Sequence, residues 1–339
     1  MDIISHSRTA QTAYLDLLRL HLDETASEFI GSIEERHRGD RVYLYEKFRI
    51  GTELKSRYLG EDTPELRARL GQASALKENT AARQIQMARL ARVLRAEGFI
   101  GTDRDTGSLL LAFAKAGVFR LGGTLIGTGA FGLYQGELGV RFGSEDLAQT
   151  GDIDFASFER LSVALGDRVE ENPGDILKEM KFDPVPGLDN RQVWRWKQNN
   201  GLAIVEFLTP AFGDEQVKPL PALGVHAQAL NYLNYLIADP IQAIALYRSG
   251  VRVQIPRPER FAIHKLIVAD RRQGGPDQAK ARKDRGQAEF LIEVLAQDRP
   301  VDLREAYADA RARGTRWRER IDASLARMPR ASTILQNLG

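Results

Sequence analysis

Apolar positions recur at helical spacing in two long stretches of the N-terminal third, from about Thr9 to Ile33 and from about Thr63 to Gly98. In the second stretch Leu66, Leu70, Leu76, Ile85, Leu90, Val93 and Leu94 can line one stripe of an α-helix and bury it. Between the two the period shortens. Residues 42–50 read as a strand, Gly51-Thr52 as a turn and residues 54–60 as a returning strand, which predicts a β-hairpin within a helical arm. Asp105-Thr106-Gly107 punctuates the chain before an apolar, helix-like run from Leu109 to Ala114.

Beyond residue 115 glycines interrupt the pattern. Val118 to Phe131 reads as a strand-to-helix transition, Gly136 to Gly151 has no clear period, and Asp152-Ile153-Asp154 opens a strand. Ser157 is placed to cap a helix reaching Gly166. Arg191 to Trp196 and Leu202 to Leu208 flank Asn199-Asn200-Gly201, a strong hairpin signal, and Ala245 to Arg248 with Val251 to Pro256 flank Ser249-Gly250 as another. From Pro258 onward the pattern is helical again. The elements predict an α/β fold of the α+β kind. A mixed-sheet core over residues 116–258 lies between a mainly helical region over 1–115, with its hairpin near 42–60, and a helical region over 259–339.

Composition narrows the class. A chain of 339 residues with 43% hydrophobic content can build more than one packed module, so a soluble globular protein is expected. It has no cysteine, which excludes disulfides, thiolate metal sites and a thiol nucleophile and fits a reducing cytoplasm. Met1 to His6 lacks the basic start and apolar core of a signal peptide, and no run of about 18 apolar residues predicts a membrane span. With a net charge of +2, attraction for nucleic acid has to come from local patches.

The chemistry concentrates in three places. Gly127-Thr128 follows the apolar run Thr124-Leu125-Ile126, where a small turn lets a phosphate approach a helix N-terminus. Asp152 and Asp154, two apart on a strand, share one face, and Glu206 lies in a later strand-like run, Ala203 to Leu208. Three carboxylates converging in one cleft repel unless cations neutralise them, and oxygen-only ligands favour Mg²⁺ or Mn²⁺. Lys265, among Phe261, Ile263, Leu266 and Ile267, can project from an otherwise buried helix toward a triphosphate, or snorkel to the surface. His264 beside it is a weaker candidate for phosphate binding or base chemistry. His6, His21, His37 and His226 have no metal-ligand spacing.

The ordered set of a Gly-Thr turn, Asp-x-Asp, an acidic strand ending Glu206-Phe207-Leu208-Thr209-Pro210 and a helix carrying Phe261 to Leu266 resembles the nucleotidyltransferase fold of the DNA polymerase beta-like superfamily. Within it the chain is similar to bacterial proteins related to the AbiEii-like toxin group, over roughly residues 116–295. The resemblance implies a metal-dependent transferase moving a nucleoside monophosphate from an NTP to a hydroxyl, in a toxin-like or defence-related setting that can include a protein regulator. It implies Asp152, Asp154 and Glu206 as metal ligands and catalytic carboxylates, and Gly127, Thr128 and Lys265 at the nucleotide. It also suggests that Lys283 and Asp284, at the start of a helix over residues 285–296, face the cleft, against the plainer reading of an exposed charged turn. Thr128 stands where Ser is commoner, Glu206 where Asp is commoner, and the spacing from turn to Asp pair is long, so Gly122-Gly123 is a second candidate for the turn.

Two stretches bear on the acceptor. Lys265 to Arg285 holds seven Lys or Arg against three Asp, and Asp302 to Arg330 eight Arg against five acidic residues. Both can follow a phosphate backbone, although basic helices are also ordinary solvated faces. Tyr43, Tyr45, Phe48, Lys55, Arg57 and Tyr58 mix aromatics with positive charge, a composition suited to stacking on single-stranded bases. Together these favour RNA, in particular a tRNA end, as the acceptor, with two alternatives beside it: a nucleotidyltransferase modifying Ser, Thr or Tyr of a protein, or a catalytically inactive module of the same fold that binds RNA or a protein partner.

Overall fold

The structure, a computed structural model, describes residues 3–26, 32–38, 41–50, 53–142, 152–156, 169–186, 192–199, 203–274 and 278–338. The predicted α/β class is borne out: eleven helices and three sheets are present among the described residues.

The N-terminal arm begins with helix α1 (Arg8–Ala26) and a three-stranded antiparallel sheet of β1 (Ser32–Arg38), β2 (Arg41–Ile50) and β3 (Glu53–Glu61). Helical spacing had suggested a helix through Ile33. Instead Ser32 to Arg38 pair with β2 along their whole length. This strand has no apolar alternation, and its exposed face pairs by charge, with Lys47 3.1 Å from Glu34 across the ladder and Arg36 3.0 Å from the same carboxylate along the strand. The long helix α2 (Pro64–Ala96) follows, its first turn closed by Leu66 N–H donating to the Thr63 hydroxyl at 3.2 Å.

Helix α3 (Arg104–Lys115) contains the predicted punctuation point. Asp103 caps it through the amides of Asp105 and Thr106, at 3.0 and 2.9 Å. Gly107 is a packing residue and not a stop, since a Cβ there would lie 2.3 Å from Cγ of Tyr247.

The core sheet is built from β4 (Thr124–Ile126), β5 (Asp152–Ala156), β8 (Ile204–Pro210), β10 (Val225–Leu230) and β9 (Val217–Leu220), in that spatial order, with β7 (Arg195–Gln198) also on β8 and β6 (Phe182–Pro184) on β7. β4 runs antiparallel to β5; β5, β8 and β10 are parallel; β7 and β8 form the predicted hairpin. Helix α4 (Gly127–Leu138) starts directly after β4, and Gly139 ends it in the left-handed region at φ 64. The expected helix over residues 157–166 lies outside the described residues. A short helix α5 (Pro173–Glu179) precedes β6, and one turn, α6 (Leu233–Leu236), follows β10. The second predicted hairpin is β11 (Ile241–Ala245) with β12 (Val251–Ile255), which pairs from Ile241 to Ile255 and so begins earlier than its apolar run implied.

Behind the sheet, α7 (Pro258–Gln273) packs along α8 (Gln278–Asp298), supported by α9 (Pro300–Ala312), α10 (Thr315–Leu325) and α11 (Pro329–Leu338). Neighbours on several sides bury every residue of α7 from Phe261 to Ile267, including His264 and Lys265. A single apolar core joins α3, α4, the sheet, α7 and α8. A second cluster holds Tyr14, Leu17, Met87, Leu94 and Phe99 against Ile244 and Leu246, and Tyr14 also presses into α4, where a Cβ on Gly136 would sit 2.2 Å from its ring.

Candidate active site

The site starts from the abrupt β4-to-α4 junction. Gly127, first residue of α4, has φ 65, a conformation that a Cβ makes costly, and the residue at the N-cap, Ile126, has no side-chain group to bond the amides that follow. Those amides form the positive end of a twelve-residue helix. Gly122 and Gly123 belong to an earlier turn, closed by hydrogen bonds that their N–H groups donate to the Phe119 and Val118 oxygens at 3.2 and 2.9 Å.

Strand register then sets the acids. β4 pairs Ile126 with Asp154, β5 pairs Asp154 with Glu206, and β8 pairs Glu206 with Arg195. One row across four strands thus runs from the residue before Gly127 through two acidic positions to an arginine. Asp152, two residues before Asp154 on β5, falls on the same face by strand alternation. The side chains of Asp152 and Asp154 lie outside the described residues, so their contacts do too. Glu206 is 17% exposed and receives Arg195 Nε and Nη2, both on Oε1.

Gly127, Thr128 and Glu206 line a cleft of about 370 Å³ together with Lys265, Lys283 and Asp284. Six of the eight residues singled out from sequence therefore meet in one concavity. Lys283-Asp284 is no exposed turn: α8 begins at Gln278, and Asp284, 2% exposed, lies within the helix. Its two oxygens receive Lys265 Nζ and Arg272 Nη1, each at 2.5 Å, so the Lys265 ammonium is fixed by a buried carboxylate and lies 5.2 Å from the Phe261 ring centre. Arg271, also on the lining, binds Glu215 at 2.9 Å. His264 lines the cleft too, and burial first, then the Lys265 charge, push its pKa down to about 3. Its imidazole is neutral near pH 7, which removes it as a phosphate-binding cation.

Three lining or bordering residues went unread in the sequence. Asn231 and Tyr232 line the cleft just after β10, with Tyr232 at φ 72, a left-handed conformation without glycine. No composition signal marks that junction. Arg195 could have been found, because it and Glu206 are equally distant from the centre of the predicted Asn200-Gly201 turn. The second basic stretch is largely used internally: Arg313 binds Asp309 at 3.0 Å, Arg320 binds Asp270 at 2.8 Å, Arg330 binds Glu293 at 3.2 Å, and Arg311 pairs with Asp322. In the N-terminal sheet, Arg36 covers the Tyr45 ring at 4.4 Å.

The mixed sheet thus sets Asp154 and Glu206 as register partners on adjacent parallel strands, with the start of α4 at the same row and Lys265 lining the same cleft as Glu206. The family model described as nucleotidyltransferase matches residues 104–312, more than half of the chain, and the protein belongs to this family, whose general reaction is transfer of a nucleoside monophosphate from an NTP. No curated protein and no solved structure matches the chain. No helix among the described residues is long and apolar enough to cross a membrane.

Proposed function

We propose that this protein transfers a nucleoside monophosphate from an NTP to a hydroxyl group of an RNA, releasing pyrophosphate. The observation that carries the reading is the placement of Gly127, Thr128, Glu206 and Lys265 around one cleft, with Asp154 beside Glu206 in the sheet register. The amides opening α4 donate to phosphate oxygens, and Lys265, held by Asp284, adds a positive charge without having to be ordered on binding. The acceptor hydroxyl attacks the α-phosphorus, the bond to the bridging oxygen breaks as pyrophosphate leaves, and a carboxylate of the acidic row takes the hydroxyl proton. Arg272, Lys280 and Lys283 on the cleft wall support a polyanionic acceptor.

The donor set fits a divalent cation: all three acids offer oxygen, and Glu206 already holds a cationic group on one oxygen. Asp152, Asp154 and Glu206 would hold Mg²⁺ or Mn²⁺, which when bound neutralises the triphosphate and acidifies the attacking hydroxyl.

The test is incubation with each α-labelled NTP, Mg²⁺ or Mn²⁺ and total cellular RNA, beside an Asp152→Ala/Asp154→Ala double variant. Label on a discrete RNA, absent with the variant, supports the proposal. Label on protein alone moves the acceptor to a Ser, Thr or Tyr hydroxyl, and no label with any NTP sinks the transferase reading for this chain.

A further inference from the structure

Glu206 enters the cleft with its Oε1 already engaged by the Arg195 guanidinium, through both Nε and Nη2. The contact follows from register, because the β7–β8 hairpin sets Arg195 directly opposite Glu206 while β5 sets Asp154 on the other side. Adjacent acids in a row are unfavourable without a counter-charge, and here the counter-charge is built into the chain. We infer that Arg195 is an internal competitor of the divalent cation at Glu206, supplying the positive charge in the metal-free protein and leaving Oε1 when the ion binds. The inference rests on the proposed role of Asp152, Asp154 and Glu206 as metal ligands.

Two observations separate this from a fixed orienting role. The Arg195 side chain is 43% exposed against 17% for Glu206, so it can depart into solvent without repacking the core, and ion pairs with so exposed a partner are weak and reversible. Its guanidinium also lies 5.2 Å from the Trp194 ring centre, where the aromatic face can hold it once Glu206 lets go. A divalent ion carries twice the charge of the guanidinium and displaces it when its concentration suffices. Metal affinity is thereby held low until an NTP brings its own charge to the cleft.

The experiment measures Mn²⁺ binding to the full chain without nucleotide, by electron paramagnetic resonance of the free ion, for the wild type, Arg195→Gln, Arg195→Lys and Asp152→Asn/Asp154→Asn. Removing one positive charge a few ångströms from the ion should tighten Mn²⁺ binding by about tenfold or more in Arg195→Gln. Arg195→Lys, which keeps the charge but loses the planar fork, should stay near wild type. Unchanged or weaker binding in Arg195→Gln overturns the inference, as does a lysine variant that behaves like glutamine. If the Asp152→Asn/Asp154→Asn variant binds Mn²⁺ as the wild type does, the metal-site reading itself fails; if that variant loses Mn²⁺ while Arg195→Gln is unchanged, only the role of Arg195 fails.

Discussion

Asp154 and Glu206, far apart in the chain, are register partners on the parallel strands β5 and β8, and the next partner of Asp154 on its other side is Ile126, the residue before Gly127. Hydrogen-bonded strands lie roughly 4.8 Å apart, so the acids and the helix opening share one neighbourhood through backbone geometry alone.

That neighbourhood predicts a clean separation of activity from stability. Asp154→Asn keeps size and polarity while removing the charge, so nucleotidyl transfer should fall on the order of 10²-fold or more. Its thermal midpoint should stay within about a degree or two of wild type, the scale of a small free-energy change. An Asn variant that turns over normally would remove Asp154 from the site.

The Lys265–Asp284 pair invites a two-part test. Asp284→Ala leaves Lys265 buried without its partner, and breaking such a pair should destabilise by about 3–5 kcal/mol in urea unfolding. Replacing both, as Lys265→Met/Asp284→Val, should recover part of that stability because apolar side chains fill the space while the part-exposed Arg272 turns to solvent. Activity should not return with it. Recovery of transfer in the double variant would make the pair purely structural.

Gly127→Ala forces an L-residue into the left-handed region at φ 65, which costs about 1–2 kcal/mol. Thermal unfolding should drop by a few degrees, on the order of 2–4 °C per kcal/mol for a chain of this size class. If the turn receives phosphate, KM for the NTP should rise more than kcat falls. A drop in stability with unchanged KM would assign the glycine to folding alone.

Burial sets a pH dependence through His264. Its folded pKa of about 3 lies below the ordinary 6.5, so the unfolded chain binds a proton in this window that the folded chain refuses. Stability should therefore be complete above about pH 6.5 and decline as pH falls toward 3. His6, lowered by its own burial and by Arg141, adds a change of the same sign. Urea midpoints at pH 7.5 and 5 should converge in His264→Leu relative to wild type. A wild-type midpoint that does not fall on acidification would contradict the neutral, buried imidazole.

Much of this arrangement was legible in the residues because it rests on local signals. The Gly127 turn, the Asn199-Asn200-Gly201 hairpin and the buried face of α7 each announce themselves within a few positions. Strand β1 did not, because cross-strand charge pairs such as Glu34 with Lys47 leave no apolar period to read. Gly107 misled for a related reason: its missing side chain serves the ring of Tyr247, distant in sequence. Asp284 looked exposed because nothing beside it in the chain reveals that Lys265 and Arg272 enclose it from another helix. Arg195 was recoverable only by counting outward from the turn to its partner.

Tyr14 occupies the notch left by Gly136 in α4 and accepts a hydrogen bond from the Ile244 amide at 3.3 Å. The span that carries the family signature begins at residue 104 and omits this tyrosine. A fragment trimmed to that span would carry a ring-sized hole under the very helix whose other end opens the cleft. The smallest folded form is thus longer than its recognisable part at both ends, because beyond residue 312 the Ser324 hydroxyl of α10 also braces α7 by donating to the Leu266 oxygen at 2.6 Å.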